Sequence, residues 1–536
     1  MRRPNILPAR RGLLRVQSAP NRSLQSAWRN PTARNCSCTA AQQPQSSTQP
    51  AAANTPSHDT PPTPPAPDHR ALGTAQQLFT TSVYSPGSPL FLPNGTHILN
   101  KLTSFLRAQY SQYGFREVLT PSIYKKSLWE VSGHWQNYKD DMYEVRGRGA
   151  SGEAKDGEIG EDESYGLKPM NCPGHCLLFK SQNHSYRELP IRYADFSPLH
   201  RNEISGSLSG LTRVRRFHQD DGHIFCRPQQ IGSEIESALR FTDTVMNTFG
   251  FRNYRLVLST RPEKDFIGSL ELWDSAERQL RDALEKSGRP WEMNEGDGAF
   301  YGPKIDMQVQ DSDGKFHQLS TIQLDMNLPE RFGLEYDVAE GEEDYNPETP
   351  GKARPVMIHR AIFGSLERFF ALLIENHPRR WPFWLSPRQG IILAVNQDEK
   401  LLQAVEDAAA KMSGLQVHRN GKSGSGEPLK PLSAAHATFR IDVDTSSRNM
   451  KKKVREAKEM GYNLIFVLGN KNLPDGSVDV ELTGQTLGKG MEGTMMLLQD
   501  TPCWDVKTSG NSEARNMKIK IDDVYGWLLR QETEFL

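Results

Sequence analysis

Near Leu385 the apolar residues of this 536-residue chain change their rule of succession, and that change constrains the fold more than any single motif. Upstream, strand-like and helix-like stretches follow one another irregularly. After Thr96, read as an N-cap, Ile98, Leu102, Phe105, Leu106 and Tyr113 recur at helical spacing, and Gly114 reads as the stop. "FREVLTPSIY" (115–124) reads as a strand that Pro121 confines to an edge or an interface. Residues 190–226 read as strand, Gly/Ser-rich loop, strand, and 299–325 as two neighbouring strands. "RPVMIHRAIF" (354–363) is a further strand, followed past Gly364 by a helix with Leu366, Phe369, Phe370 and Leu373 inward. This succession favours an α+β domain on a mostly antiparallel sheet. Downstream, "GIILAVN", a helix from Asp398 to Met412, "ATFRIDVD", a basic helix from Asn449 to Met460, "NLIFVLG" and "VDVELTG" alternate strand with helix. That alternation signals a smaller α/β domain with a mostly parallel sheet. A chain of this length needs more than one core in any case. The expected segments are 1–68, 69–385 and 386–536, with exposed insertions at 146–164 and 420–431.

The first segment is not expected to join either core. It has arginines at 2, 3, 10, 11, 15, 22, 29 and 34, many Ser, Gln, Ala and Pro, and no acidic residue before Asp59. An Arg-rich, Ser-rich, acid-poor leader has transit-peptide composition and points to the mitochondrial matrix; a plain disordered tail is the alternative reading. "TPPTPPAP" (60–67) is a stiff, extended spacer, so folded structure is expected to begin near His69. Over the whole chain 65 basic residues balance 65 acidic ones, which argues against a general cationic coat and makes any nucleic-acid binding local. Six cysteines, two of them in the leader, do not make a disulfide framework. No apolar run approaches the roughly 18 residues a membrane span needs, so no membrane partner is expected.

Two groups of residues carry chemistry. "MNCPGHC" (170–176) packs Cys172, His175 and Cys176 into one turn, a density that suggests zinc. Local spacing permits a closed structural site from Cys172, Cys176, His223 and Cys226, while plain packing is the bland reading of His175 and Cys176. The second group is Arg201, Arg213 and Arg368, placed where two strands and a helix start can converge. Guanidinium forks bind phosphate oxygens bidentately and keep their charge, so three together imply a polyphosphate or phosphodiester; any one alone reads as a solvated surface charge. No GxxxxGK[ST] is present, so a P-loop is not the explanation.

"GFREVLTPSIY", "HRNEISGSLSGLTRVRRFHQDDGHIFC" and "HRAIFGSLERF" resemble motifs 1, 2 and 3 of the class II aminoacyl-tRNA synthetases. More narrowly, "KPMNCPGH", "QDDGHIFC", "AFYGPK", "STIQLDM" and "PVMIHRAIFGSLERF" together resemble threonyl-tRNA synthetase, from about His69 to the C-terminus. The resemblance implies an antiparallel class II catalytic domain followed by an α/β anticodon-binding domain. It is to the mitochondrial type, without an N-terminal editing domain, and implies a homodimer formed through motif 1. The implied activity joins L-threonine to tRNA(Thr) with ATP, Mg²⁺ and Zn²⁺ through a threonyl-adenylate.

The same resemblance implies a zinc held by Cys172, His223 and His359, three ligands that leave tetrahedral zinc a fourth position. It puts Arg201 on the α-phosphate of ATP, Arg213 and Arg368 on the outer phosphates, Glu203 against adenine and Phe217 stacked on it. Gln219, Asp221, Tyr301 and Gln323 would line the threonine pocket, Asp221 facing the ammonium, with Lys304 and Gln318 nearby. Threonine and valine are near-isosteres that an apolar pocket separates only about a hundredfold, whereas a metal taking the amino and hydroxyl groups together rejects valine. Serine, short by one methyl worth roughly 1–3 kcal/mol, is expected to leak through. Lys451, Lys452, Lys453 and Arg455 cluster at one helix start and suit either phosphate contacts or a solvated face. The insertion at 420–431 and "GQTLGKG" depart from the family pattern. Two other readings stand beside this one: an inactive paralogue that binds tRNA or a partner, and a sister synthetase for serine or proline.

Overall fold

The computed structural model describes residues 68–146, 164–251, 253–264, 266–267, 269–416, 418–419, 422–423, 429–483 and 517–535. All lie in the compact unit Pro64–Leu536. The transit-like leader, nearly all of the 146–164 insertion, most of 420–428 and "GQTLGKG" lie outside the described residues.

Helix α1 (His69–Ala75) starts on Asp68, whose carboxylate accepts from the amides of Arg70 and Ala71. Helix α2 (Pro93–Gln112) begins three residues before the expected cap. Proline fits the first helical position because its missing N–H would have no partner there, and Thr96 already donates its amide to Leu92 O at 2.8 Å. Gly114, at φ 78°, ends the helix as expected. "FREVLTPSIY" forms two short strands in different sheets: β1 (Arg116–Glu117), at the edge of the large sheet, and Ile123–Lys125, in a small three-stranded one. Pro121 falls in the break between them.

The elements that build the large sheet and its helices are α3 (Cys172–Lys180), β2 (Ile191–Asp195), β3 (Pro198–His200), β4 (Arg216–Cys226), α4 (Ile231–Thr248), β5 (Arg255–Ser259), α5 (Leu270–Ser287), β6 (Trp291–Asn294), β7 (Lys304–Gln310), β8 (Phe316–Asp325), β9 (Val356–Ser365) and α6 (Leu366–Asn376). With β1 their eight strands make one nine-stranded sheet in the order β6-β5-β7-β8-β9-β4-β2-β1, with β3 paired to β4. It is antiparallel except at its two ends, where β5 pairs with β6 and β1 with β2 in parallel. One face carries the core: Leu102 and Leu106 of α2, Ile235 and Phe241 of α4, Leu280 of α5 and Phe369 of α6 pack with Ile224, Ile322 and Ile358 of the strands. Each such side chain contributes about 1.5–3 kcal/mol by leaving water. The other face is free to carry polar groups.

The turn from β9 into α6 is built by Asp220. Its carboxylate accepts from the amides of Ile362 and Phe363 at 2.7 and 3.0 Å and from the Tyr110 hydroxyl at 2.9 Å. There the β9–β4 register slips, between Ala361 and Ser365. Gly364 sits at φ 66°, where a Cβ would collide with Leu319 O. Ser365 Oγ then caps Arg368 N. Burial pushes Asp220 up to about 7, against the pull of these hydrogen bonds and of the Arg360 charge.

Past Leu385 come β10 (Gly390–Ala394), α7 (Glu399–Met412), β11 (Ile441–Asp444), α8 (Met450–Glu459), β12 (Leu464–Leu468), β13 (Ser477–Leu482), β14 (Met517–Lys520) and α9 (Ile521–Thr533). The sheet order is β11-β10-β12-β13-β14. It is mixed rather than mostly parallel: β10 lies parallel to β11 and β12, but β13 and β14 join antiparallel. Alternation along the strands sorts the two faces. Ile392, Phe466 and Val480 pack with α7 and α9, while Ile391, Leu393 and Ile465 pack with α8. One member of the expected basic cluster is turned inward, because Lys453 is buried and donates to Ala394 O and Asp444 O at 3.0 and 3.2 Å. Lys452 and Arg455 pair along the helix with Glu456 and Glu459. Among the described residues no helix is long and apolar enough to cross a membrane.

Candidate active site

The polar face of the large sheet opens into a cavity of ≈ 520 Å³. Every residue that the family resemblance places in the catalytic site lines it: Cys172, Arg201, Glu203, Arg213, Phe217, Gln219, Asp221, His223, Tyr301, Lys304, Gln318, Gln323, His359 and Arg368. Strand β4 supplies Phe217, Gln219, Asp221 and His223, alternate positions that share one face of a pleated strand. His223 lies directly opposite His359 of β9, and His359 directly opposite Gln323 of β8. Cys172, at the first turn of α3, completes a set in which the three ligand atoms lie within 4.8 Å of one another.

The ring nitrogens that face one another are His223 Nε2 and His359 Nδ1, 2.9 Å apart. Their far nitrogens are held from behind. His359 Nε2 lies 2.8 Å from the fully buried Asp325 Oδ2, and His223 Nδ1 lies 2.7 Å from His175 Nδ1. His175 is backed in turn by Asp195, 3.7 Å from its Nε2. Burial opposes ionisation of Asp195, yet the nearby His175, hydrogen bonds from Ser197 and Thr120 and the charge of Lys168 hold it well below the usual carboxylate range. Burial, aided by the charges of His175 and His359, pushes His223 well below the ordinary imidazole value, and burial pushes the Cys172 thiol well above its own. Two imidazoles with fixed outer nitrogens and a buried thiol are a donor set suited to zinc, since a divalent cation would stabilise the thiolate that burial alone disfavours.

The closed four-ligand alternative fails on geometry. Cys226 is three residues from His223, so it points to the opposite face and packs in the main core. Cys176 Sγ lies 3.8 Å from Met357 Sδ, inside a small apolar cluster. His175 is more than packing beside a turn, because it contacts a member of the triplet. Its place behind His223 was not read from the sequence, and Asp325 was not singled out at all. Both act on a histidine distant in the chain, and the available signal was an Asp two positions after Gln323 on the same strand.

Beside the triplet, Asp221 accepts from Asn171 Nδ2 at 3.1 Å, and burial raises its carboxyl against the opposing charges of His175 and His359. Tyr301 donates its hydroxyl to Gln323 Oε1 at 2.7 Å, and its ring lies 5.3 Å from that of His359. Lys304 and Gln318 converge on Asp306, at 2.9 and 2.6 Å.

At the other end of the cavity the arginines meet. Arg368 donates to Gln318 O and Thr212 O at 2.8 and 3.0 Å. Burial, and then the charges of Arg201 and Arg213, lower its pKa, which places all three cations within electrostatic reach. Arg201 lies 5.0 Å over the Phe217 ring and leaves its buried Nε without a partner. Glu203 is taken by Arg213, 2.7 Å away. Three cations lining one end of the cavity with a single carboxylate between them leave a local positive field that favours an anion.

This architecture is that of a class II aminoacyl-tRNA synthetase. The family model for the tRNA synthetase class II core domain (G, H, P, S and T) matches residues 156–377, and that for an anticodon binding domain matches 391–489. The chain belongs more narrowly to the threonine–tRNA ligase family. It is 50% identical over 406 residues to a probable mitochondrial threonine–tRNA ligase of Schizosaccharomyces pombe, covering 75% of this chain and 81% of that one. It is 48% identical over 408 residues to the mitochondrial threonine–tRNA ligase of Saccharomyces cerevisiae, covering 74% and 82%. Among solved structures, one described as the RNA binding domain of threonyl-tRNA synthetase from Cryptosporidium parvum matches with a TM-score of 0.70 at 38% identity, covering 88% of this chain and 98% of that one. Class II synthetases use ATP and Mg²⁺.

Proposed function

We propose that this protein activates L-threonine with ATP and transfers it to tRNA(Thr) in the mitochondrial matrix. The observation that carries the reading is the position of Cys172, His223 and His359 beside Asp221, in the same cavity as Arg201, Arg213 and Arg368. In this reading Asp221 takes the substrate ammonium, and Gln219, Tyr301 and Gln323 close around the side chain. Zinc held by Cys172, His223 and His359 would supply an open coordination position that accepts the amino nitrogen and hydroxyl of threonine and gives valine nothing to ligate.

The three arginines hold ATP, with its Mg²⁺, so that the threonine carboxylate meets the α-phosphorus in line. They are in place before the reaction, so they stabilise the charge that builds as the P–O bond to pyrophosphate breaks without reorganising. Glu203 faces adenine and Phe217 stacks on it, while Lys304 and Gln318 hold the pocket wall through Asp306. The catalytic residues are Arg201 and Arg368, and the catalytic and anticodon-binding domains divide near Leu385. A homodimer through the motif 1 segment is supported by Leu119 and Ile123, which stand 82% and 45% exposed there. The mitochondrial assignment draws on the acid-free leader and on the two mitochondrial relatives.

The test is amino-acid-dependent ATP–pyrophosphate exchange with the purified full chain, followed by charging of tRNA(Thr). Exchange with threonine, and not with valine or proline, is expected. No threonine-dependent exchange from a folded, zinc-loaded preparation would refute the reading.

A further inference from the structure

His69 opens α1 more than 130 residues before Arg201, yet it is wired into the arginine cluster. The ring is buried, with Nδ1 2.9 Å from Glu375 Oε1 and Nε2 3.1 Å from the backbone nitrogen of Leu211. A carboxylate can only accept and an amide N–H can only donate, so Nδ1 carries the proton and Nε2 offers its lone pair to Leu211. Glu375 is fixed on its other side by Ser312 N at 3.0 Å.

Leu211 is fully buried, the carbonyl of Thr212 accepts from Arg368 Nε, and Arg213 follows. A closed circuit of contacts therefore runs from Glu375 at the end of α6, through His69 to the 205–215 loop, and back to Arg368 at the start of α6. The same N-terminal stretch grips the loop again where Arg215 donates its amide to Gly87 O at 2.6 Å. The approach is close enough that a Cβ at Gly210, already at φ 50°, would overlap His69 Nε2. Helix α1 is itself anchored at its far end, because Gln76 accepts from Trp381 Nε1 at 2.7 Å.

We propose that His69 is a positioning residue for the nucleotide: by holding Leu211 N–H it fixes the loop that aims Arg213 and braces Arg368, without touching substrate. The proposal rests on the arginines binding ATP phosphates. A side chain that only fills the core would, when removed, lower stability and both substrate affinities together. A positioning residue instead affects the nucleotide.

The experiment compares the full chain with His69→Ala and with His69→Gln, which keeps one donor and one acceptor. In His69→Ala the KM for ATP in threonine-dependent exchange should rise about tenfold, the size of one lost buried hydrogen bond, with the KM for threonine within twofold of the parent. His69→Gln should recover most of the loss. Amide hydrogen exchange in peptides covering 205–216 should quicken in His69→Ala, with protection of the β4 and β9 peptides unchanged. An unchanged KM for ATP, or equal losses for ATP and threonine alongside loosening of the whole sheet, would overturn the proposal. If the parent chain shows no threonine-dependent exchange, the nucleotide reading fails, and unaltered exchange at 205–216 would separately remove the loop contact.

Discussion

Replacing Asp325 by asparagine tests whether the histidine pair is built for a metal. Asp325 is fully buried and uses both oxygens: Oδ2 faces His359 Nε2 at 2.8 Å, and Oδ1 accepts from the amides of Asn327 and Leu328 at 2.7 and 3.0 Å. An amide side chain has one accepting edge and one donating edge. Turned to keep the two backbone bonds, Asn presents NH₂ to a ring nitrogen that must donate, and His359 loses the acceptor that keeps Nδ1 directed at Cys172 and His223. A hydrogen bond to a buried charged group is worth about 1.5–3 kcal/mol, and about 1.4 kcal/mol corresponds to tenfold. Zinc affinity should therefore fall roughly 10- to 100-fold, the usual effect of losing a partner behind a ligating histidine. Competition of the zinc-loaded full chain against a chromophoric chelator reads this directly, with thermal unfolding followed alongside. Affinity within threefold of the parent would show that Asp325 does not orient His359 for a metal.

Two further predictions concern the frame. Asp220→Ala strands the amides of Ile362 and Phe363, buried donors that cost about 1–3 kcal/mol each, while the Tyr110 hydroxyl keeps the backbone carbonyl of residue 220, so denaturant unfolding should show a loss of about 2–6 kcal/mol; a loss below about 1 kcal/mol would mean the β9 turn does not depend on it. At Glu375 burial opposes ionisation, but hydrogen bonds from His69 and from Ser312 outweigh it and hold the carboxyl at about 2, against an ordinary 4.5. Its stabilising contribution is therefore present above pH 4.5 and disappears as pH falls toward 2. Glu375→Gln should flatten the loss of stability across that window in pH-dependent unfolding, and an unchanged acid limb would refute it.

What could be read from the sequence followed the range of each interaction. Helix ends were legible where the capping side chain is local, as with Asp398 and Asn449, and failed at Thr96, where proline three residues earlier starts the helix better. The β9 to α6 turn was legible from Gly364 and the apolar stripe after it. The mixed sheet past Leu385 was not, because strand direction depends on where a chain returns rather than on its alternation. Lys453 looked like its neighbours, although helical rotation buries it among carbonyls. The arginine cluster was legible from residue chemistry, whereas the metal triplet came from motif resemblance, since spacings of 51 and 136 residues between Cys172, His223 and His359 carry no local signal. Only the antiparallel register of β4 with β9 brings the two histidines face to face. The roles of His175, Asp325 and His69 stayed hidden because each acts on a partner remote in sequence.

Strand β4 works as a ruler. Phe217, Gln219, Asp221 and His223 stand on one side at steps of about 6.8 Å, so four chemically different groups are set out at fixed intervals along a single backbone. Such a gauge tolerates respelling of its marks but not a change in length: one residue gained or lost between Phe217 and His223 would send every mark beyond it into the apolar interior and bring Asp220, Gly222 and Ile224 out in their place.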